Sequence, residues 1–278
     1  MFKDINWYGQ LNILCKYLNT KPEIPFASIQ HGYITEKDLK QSKVRNLRFI
    51  PFLVWNKKMQ TYLNLKNDRN VKIIGAPFIY ITKIKKIKMK PKGTLLMFIH
   101  SENTLKQKFI SEKILQKIKK NYPSPHTISL FHNDFNKNSI KYYEKYGFKV
   151  VTFGPRTDKN HLEKLYKSLK STNYFITDYV GSSFYYALFL KKKTKLIKSH
   201  YKFEVSSKER KFYNKFLKNL DKERDNLLKK YSRSKFIPIK DGYKIACKEL
   251  GYKYLKEKKD LFKILGLDSY LKKYLALF

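Results

Sequence analysis

A chain of 278 residues with 42% hydrophobic side chains can hold one large domain or two small ones with real cores, and is too apolar for a disordered protein. Its formal net charge of +39 is inflated by codon bias toward lysine, asparagine and isoleucine, yet such a surface attracts polyanions: nucleic acid, an anionic membrane face or a phosphorylated substrate. No apolar run reaches the roughly 18 to 20 residues of a membrane span, the N-terminus lacks a small-residue cleavage site, and the distant Cys15 and Cys247 suit a reducing cytoplasm rather than a disulfide framework or a metal site.

In chain order, Trp7, Leu11, Leu14, Cys15 and Leu18 fall at helical spacing and predict a helix over 6–19, ended by Pro22 and Pro25. Phe26 to Ile29 predicts a strand, with Gln30-His31-Gly32-Tyr33 at its C-terminal end, where glycine lets a ligand approach the backbone. Leu47 to Trp55 predicts a buried strand that Pro51 interrupts. A helix over 59–65 and a strand from Asn70 to Ile74, closed by Gly75-Ala76-Pro77, follow. The lysine-rich stretch from Ile81 to Gly93 reads as a linker, or as a surface helix running into a loop; either puts a boundary near Pro91.

Strand and helix then alternate. Thr94 to Ile99 predicts a strand ending at His100-Ser101-Glu102, followed by a helix over 105–118 with Phe109, Ile110, Ile114, Leu115 and Ile118 on one stripe. Thr127 to Phe131 predicts a strand ending at His132-Asn133-Asp134, then a helix over 139–146. Lys149 to Phe153 ends at Gly154-Pro155-Arg156, and a helix capped at Asp158 or Asn160 runs to Leu169. Tyr174 to Thr177 is a short aromatic and β-branched strand ended by Asp178. Gly181-Ser182-Ser183 opens a helix from Phe184 to Leu190, and Thr194 to Ile197 is a last strand. Five strands alternating with helices argue for a parallel, doubly wound sheet.

Strand, small-residue turn and helix aim backbone N–H groups and serine hydroxyls at an anion, although serine at a helix N-cap needs no ligand. The surroundings favour a site. In a parallel sheet the polar tips at His100, His132, Gly154 and Asp178 share one rim, where open α/β sheets bind ligands. The tail from Glu209 is helical by pattern. Its last stretch, Leu261 to Phe278, is amphipathic and fits either a membrane interface or a helix packed across two halves.

No GxxxxGK[ST], no GxGxxG after a strand, no HExxH and no Asp-x-Asp pair occurs. A phosphate site without metal would draw on helix N-termini, histidine, lysine, arginine and hydroxyls. The His-Gly pair, NVKIIGAP, the histidine after the second strand of the second half, and TDYVGSSFYYALFLKKKTKL together resemble bacterial glycosyltransferases of the GT-B fold. The likeness covers roughly 25–200. It is to enzymes of capsule and lipopolysaccharide assembly, the CDP-glycerol glycerophosphotransferase and CMP-sugar (sialic acid or Kdo) transferase groups.

The resemblance implies an α/β fold of two Rossmann-like halves facing a central cleft. It implies an acceptor-side domain over 1–90, a donor-nucleotide domain over 91–200 and a helical C-terminal region over 201–278. His31 would be the catalytic base. His100, Ser101, His132, Gly154, Arg156, Asp178, Gly181, Ser182 and Ser183 would bind the donor; Asn133 stands where the families carry proline after the phosphate-binding histidine. Neither cofactor nor metal is implied. The partners are a nucleotide-sugar, a glycan or glycolipid acceptor and an anionic membrane surface, at a cytoplasmic, peripheral location. A CDP-glycerol-type polyol-phosphate transferase, a non-catalytic GT-B scaffold and a basic nucleic-acid-binding protein are the alternatives.

Overall fold

The computed structural model describes residues 7–20, 27–30, 32–33, 51–64, 70–85, 87–101, 105–107, 109–198, 203–205 and 210–267. The chain divides into two compact units, the first formed by Met1–Lys86, Arg156–Glu163 and Cys247–Phe278, the second by Ile87–Pro155 and Lys164–Ala246.

In the first unit a 3-10 turn, Trp7–Gly9, leads into helix α1, Gln10–Leu18. Leu11, Ile13, Leu14, Cys15, Tyr17 and Leu18 are all buried, so α1 is covered on several faces rather than lying on a surface. Asn19 ends it in the left-handed conformation that asparagine tolerates, its N–H reaching Cys15 O and Lys16 O. Strands β1 (Ser28–Ile29), β2 (Phe52–Val54) and β3 (Val71–Ile73) form a parallel sheet in that order. Helix α2 (Lys57–Asn64) lies between β2 and β3 in the chain.

Helix α3 (Pro77–Ile84) takes up the first residues of the stretch read as a linker or as a helix running into a loop. Pro77 stands at its first position, where a missing N–H costs nothing. Phe78, Ile79, Tyr80 and Ile81 are buried together, and such a continuous apolar run hides its own helical period. The Tyr80 hydroxyl donates to Ile74 O at 2.7 Å and accepts from Lys256 N at 2.8 Å, which ties the later chain to β3. Burial pushes the Tyr80 phenol well above its ordinary value.

Glu163, 12% exposed, pairs with both Lys16 and Lys85. Burial alone would raise its pKa; the two ammonium groups more than offset that and hold it below the usual carboxylate range. Such a group stabilises above its unfolded pKa of about 4.3 and loses that contribution as pH falls through the folded value. Glu163→Gln should therefore cost about 1 kcal/mol at neutral pH. The melting curves of variant and parent should converge as pH falls from about 4.3 through the folded value.

The second unit is built on a five-stranded parallel sheet, β4 (Thr94–Met97), β6 (His126–Ser129), β7 (Lys149–Val151), β8 (Tyr174–Thr177) and β9 (Lys193–Leu196), in the order β7-β6-β4-β8-β9. The chain starts in the middle, steps outward to β7, then returns to the other side of β4. Helices α4 (Glu112–Asn121), α5 (Lys137–Lys145), α6 (His161–Ser171) and α7 (Ser182–Phe189) make the connections. Leu95, Leu96, Phe175 and Ile176 are fully buried, as expected of strands covered on both faces. Leu96, Phe98, Leu115, Ile118, Ile128, Phe148 and Ile176 pack as one cluster.

Two expectations are corrected in this unit. The helix expected over 105–118 is a strand, β5 (Leu105–Gln107), and then α4, which starts after Ser111. β5 pairs antiparallel with β10 (Phe203–Val205), so the region past 200 is not wholly helical. Cross-strand pairing at a separation of nearly a hundred residues outweighed local propensity here. Helix α8 (Arg210–Lys230), helix α9 (Ile239–Glu249), a 3-10 turn at Tyr252–Tyr254 and helix α10 (Lys258–Ile264) follow. This tail is shared between the two units, dividing at Ala246, rather than forming a region of its own. Among the described residues no helix is long and apolar enough to cross a membrane.

Candidate functional site

The strand order of the second unit reverses between β4 and β8, and a ligand crevice in an open α/β sheet forms at such a reversal, beyond the carboxyl ends of the strands. His100 and Ser101 follow β4, His132 follows β6, Gly154 follows β7, and Asp178, Gly181, Ser182 and Ser183 follow β8. All the sheet pairings are parallel, so these tips lie along one rim.

Side chains tie three of the tips together. Ile99 N donates to Asp178 Oδ1 at 2.8 Å, linking the end of β4 to that of β8. Ser101 N donates to Asp134 Oδ2 at 2.9 Å, linking β4 to the loop after β6. The His100 ring stacks on Phe131 with centroids 4.2 Å apart, and Phe131 meets His132 edge-on at 4.2 Å. His100 Nδ1 lies 2.9 Å from Ser101 O. Both histidines are half-buried against the same aromatic ring.

The β8 tip runs directly into α7. Gly181 stands at the N-cap in extended backbone, and no side chain caps the helix there. Helix geometry leaves the N–H groups of the first turn without intrahelical acceptors, and the helix dipole favours negative charge beside them. Ser182 is half-exposed at this end. Ser183 is buried, with its Oγ 3.3 Å from the Tyr179 hydroxyl. A Cβ at residue 181 would come within 2.4 Å of the Tyr179 ring, so glycine there lets that ring fold over the turn.

Asp178 is placed differently from its neighbours. It is fully buried, and its carboxylate accepts from backbone. It orders the tips from beneath rather than facing solvent. Behind it stands Arg224 of α8, 6% exposed, which donates to Asp178 O at 3.4 Å and pairs with Asp221 at 2.8 Å and Asp225 at 3.2 Å. Sequence reasoning placed Asp134 at the tip after β6 without giving it a part in the site, and it missed the parts played by Arg224, Phe131 and Tyr179. The only trace of Arg224 was an arginine with acids three residues before and one after on a helix.

Gly154 sits at the rim in left-handed backbone, φ 88°, its N–H on Thr152 Oγ1 at 3.2 Å. Arg156 follows two residues on. It belongs to the first unit, where its guanidinium lies 5.4 Å from the Trp7 ring centroid and its carbonyl accepts from Tyr8 N. His31 lies outside the described residues. Its neighbour Gln30 is buried, receives Trp55 N on Oε1 at 3.1 Å, and donates from Nε2 to Gly32 O at 2.8 Å. Gln10 Nε2 donates to Gln30 O at 2.9 Å. Two glutamines thus brace the end of β1. Among the described residues no three His, Cys, Asp or Glu side chains group as metal ligands.

The fold is that of an α/β protein with parallel sheets, compatible with a Rossmann-like fold, and polar loops gather at the reversal of its five-stranded sheet. Comparison with protein-family models, with curated protein sequences and with solved structures finds no match.

Proposed function

We propose that the protein is a metal-independent, inverting glycosyltransferase of surface polysaccharide or lipopolysaccharide synthesis, with a CMP-sugar as the favoured donor. In this reading the two units face a cleft in the GT-B manner, and the protein works peripherally at the cytoplasmic membrane. The observation that carries the reading is the convergence of the β4, β6 and β8 tips beside the N-terminus of α7, through the Asp178–Ile99 and Asp134–Ser101 hydrogen bonds. A nucleotide phosphate suits that place because the first-turn N–H groups of α7 and the hydroxyls beside them can take an anion, with His100 and His132 on neighbouring tips of the same rim.

The chemistry is a single displacement. The acceptor hydroxyl oxygen attacks the anomeric carbon as its proton passes to His31, whose unperturbed pKa near 6.5 suits a base at neutral pH. The bond from that carbon to the donor phosphate oxygen breaks, and the nucleotide leaves as a phosphate anion. Ser182, Ser183 and the first turn of α7 hold the phosphate, and His132 meets its growing charge.

Melting temperatures measured with CMP, CDP, UDP, GDP, their sugars and CDP-glycerol test this. A ligand held at about a hundred times its Kd stabilises by about 2.7 kcal/mol, a rise of several degrees. The expected result is a rise with CMP and its sugars that disappears in the Ser182→Ala/Ser183→Ala protein. A rise with CDP-glycerol instead would favour the polyol-phosphate transferase. No rise with any nucleotide would overturn the donor-site reading.

A further inference from the structure

The β9 edge of the second unit carries a concentration of cations that the rim does not use. Residues 191–195 read KKKTK. Strand alternation leaves Lys193 exposed and Lys195 half-exposed while Thr194 and Leu196 are buried; in the turn before β9, Lys191 is exposed and Lys192 buried. After α8 the chain returns to this edge. Ile237 N donates to Thr194 O at 3.0 Å, and Lys195 Nζ donates to Ser234 O at 3.3 Å.

That return adds both charge and apolar surface. Lys193 Nζ lies 5.3 Å from the Tyr174 ring centroid, Tyr174 and Phe236 are 5.4 Å apart, and Lys235 Nζ lies 5.8 Å from the Phe236 centroid. Lys191 Nζ lies 5.0 Å from the Tyr243 ring in α9. Ile239, four residues earlier on the same helical face, is 45% exposed. Lys240 and Lys244 are exposed on the adjoining stripe. Asp241 is the only acid between Lys229 and Lys244, and it points roughly 200° around the helix from Ile239.

We infer that this edge is a docking surface for an anionic lipid membrane. Lys191, Lys193, Lys195, Lys235, Lys240 and Lys244 meet the headgroups and Ile239 enters the interfacial layer. Two observations favour lipid over nucleic acid. The faces of Tyr174, Phe236 and Tyr243 are already covered by ammonium groups, so they are poor platforms for stacked bases. The bare Ile239 gains free energy only in an apolar medium. Lys193 pairs with Tyr174 at the start of β8, whereas the rim begins beyond Thr177 at its other end, so docking leaves the rim open. The inference rests on the peripheral-membrane part of the proposed function and is independent of the transferase part.

The test is co-sedimentation of the full chain with vesicles of phosphatidylcholine alone and of phosphatidylcholine mixed with phosphatidylglycerol. Binding is expected only to the anionic vesicles. At about fivefold per cation, Lys193→Ala/Lys235→Ala/Lys240→Ala should weaken it on the order of a hundredfold. Ile239→Ser should weaken it several-fold. Lys137→Ala/Lys141→Ala/Lys145→Ala on α5, which packs by β7 at the opposite edge, should weaken it far less.

Equal loss in the two triple variants would overturn the inference, since net charge alone would then account for binding. So would no binding to anionic vesicles, or a homopolymer RNA that displaces them and is itself lost in the first triple variant. The CMP melting shift is read on the same samples. If the shift is present without vesicle binding, only the docking surface falls. If vesicle binding is present without the shift, only the transferase reading falls.

Discussion

Gly251→Ala is expected to destabilise the first unit by roughly 3 kcal/mol or more. Gly251 has φ 69°, in the left-handed region, and an added Cβ would lie 1.7 Å from Trp55 O and 2.7 Å from Trp55 C. Those are backbone atoms at the end of β2, and Trp55 is fully buried with its N–H held by Gln30 Oε1. Neither side can give by a rotamer change, so the segment must lift away. Lifting it breaks the bond from Ala76 N to Leu250 O, 2.8 Å, and that from Asn56 Nδ2 to Glu249 O, 2.8 Å.

Gly266→Ala separates clash from backbone strain. Its φ is 67°, nearly the same, but nothing lies within 4 Å of an added Cβ. It should cost only the conformational penalty, about 1 kcal/mol. Thermal unfolding and hydrogen exchange at the Ala76 amide measure both effects. Equal losses in the two variants would mean that the close approach at Trp55 contributes nothing.

Asp178→Ala is expected to destabilise the second unit by about 3 kcal/mol. The substitution leaves the Ile99 N–H buried without its carboxylate acceptor, and Ile99 is itself only 7% exposed. Hydrogen bonds to charged groups contribute about 1.5 to 3 kcal/mol, and an unmade one adds a desolvation cost. Asp178→Asn keeps an oxygen facing Ile99 N but removes the charge that strengthens that bond. It should cost about half as much. Because Asp178 links two tips of the rim, the alanine variant should also lose most of any nucleotide-induced melting shift. Hydrogen exchange at Ile99 reports the tie directly. Unchanged protection at Ile99 in Asp178→Ala would remove the structural basis for both effects.

Much of the second unit was legible in its residues. Strand Tyr174–Thr177 is aromatic and β-branched, and Asp178 stops it. The stripe of Leu115 and Ile118 marks α4 even though its start was misplaced. Alternating strands and helices imply a parallel sheet, and parallel strands put their tips on one rim, so the gathering of polar tips there followed from pattern alone. The first unit was harder to read, since α3 hides in a run of consecutive buried residues, Phe78 to Ile81, that carries no visible period.

Composition and periodicity by themselves determined the class of fold, the position of most elements of the five-stranded sheet and the grouping of polar loops at its carboxyl end. These follow from interactions within a few residues along the chain. Tertiary structure alone decided that β5 pairs with β10, that Arg156 and the residues after Ala246 belong with the first unit, and that Asp178 turns inward while Arg224 comes up behind it. Each of these joins residues far apart in sequence. Burial and hydrogen bonding across such distances depend on how whole elements pack, and no local stretch carries that information.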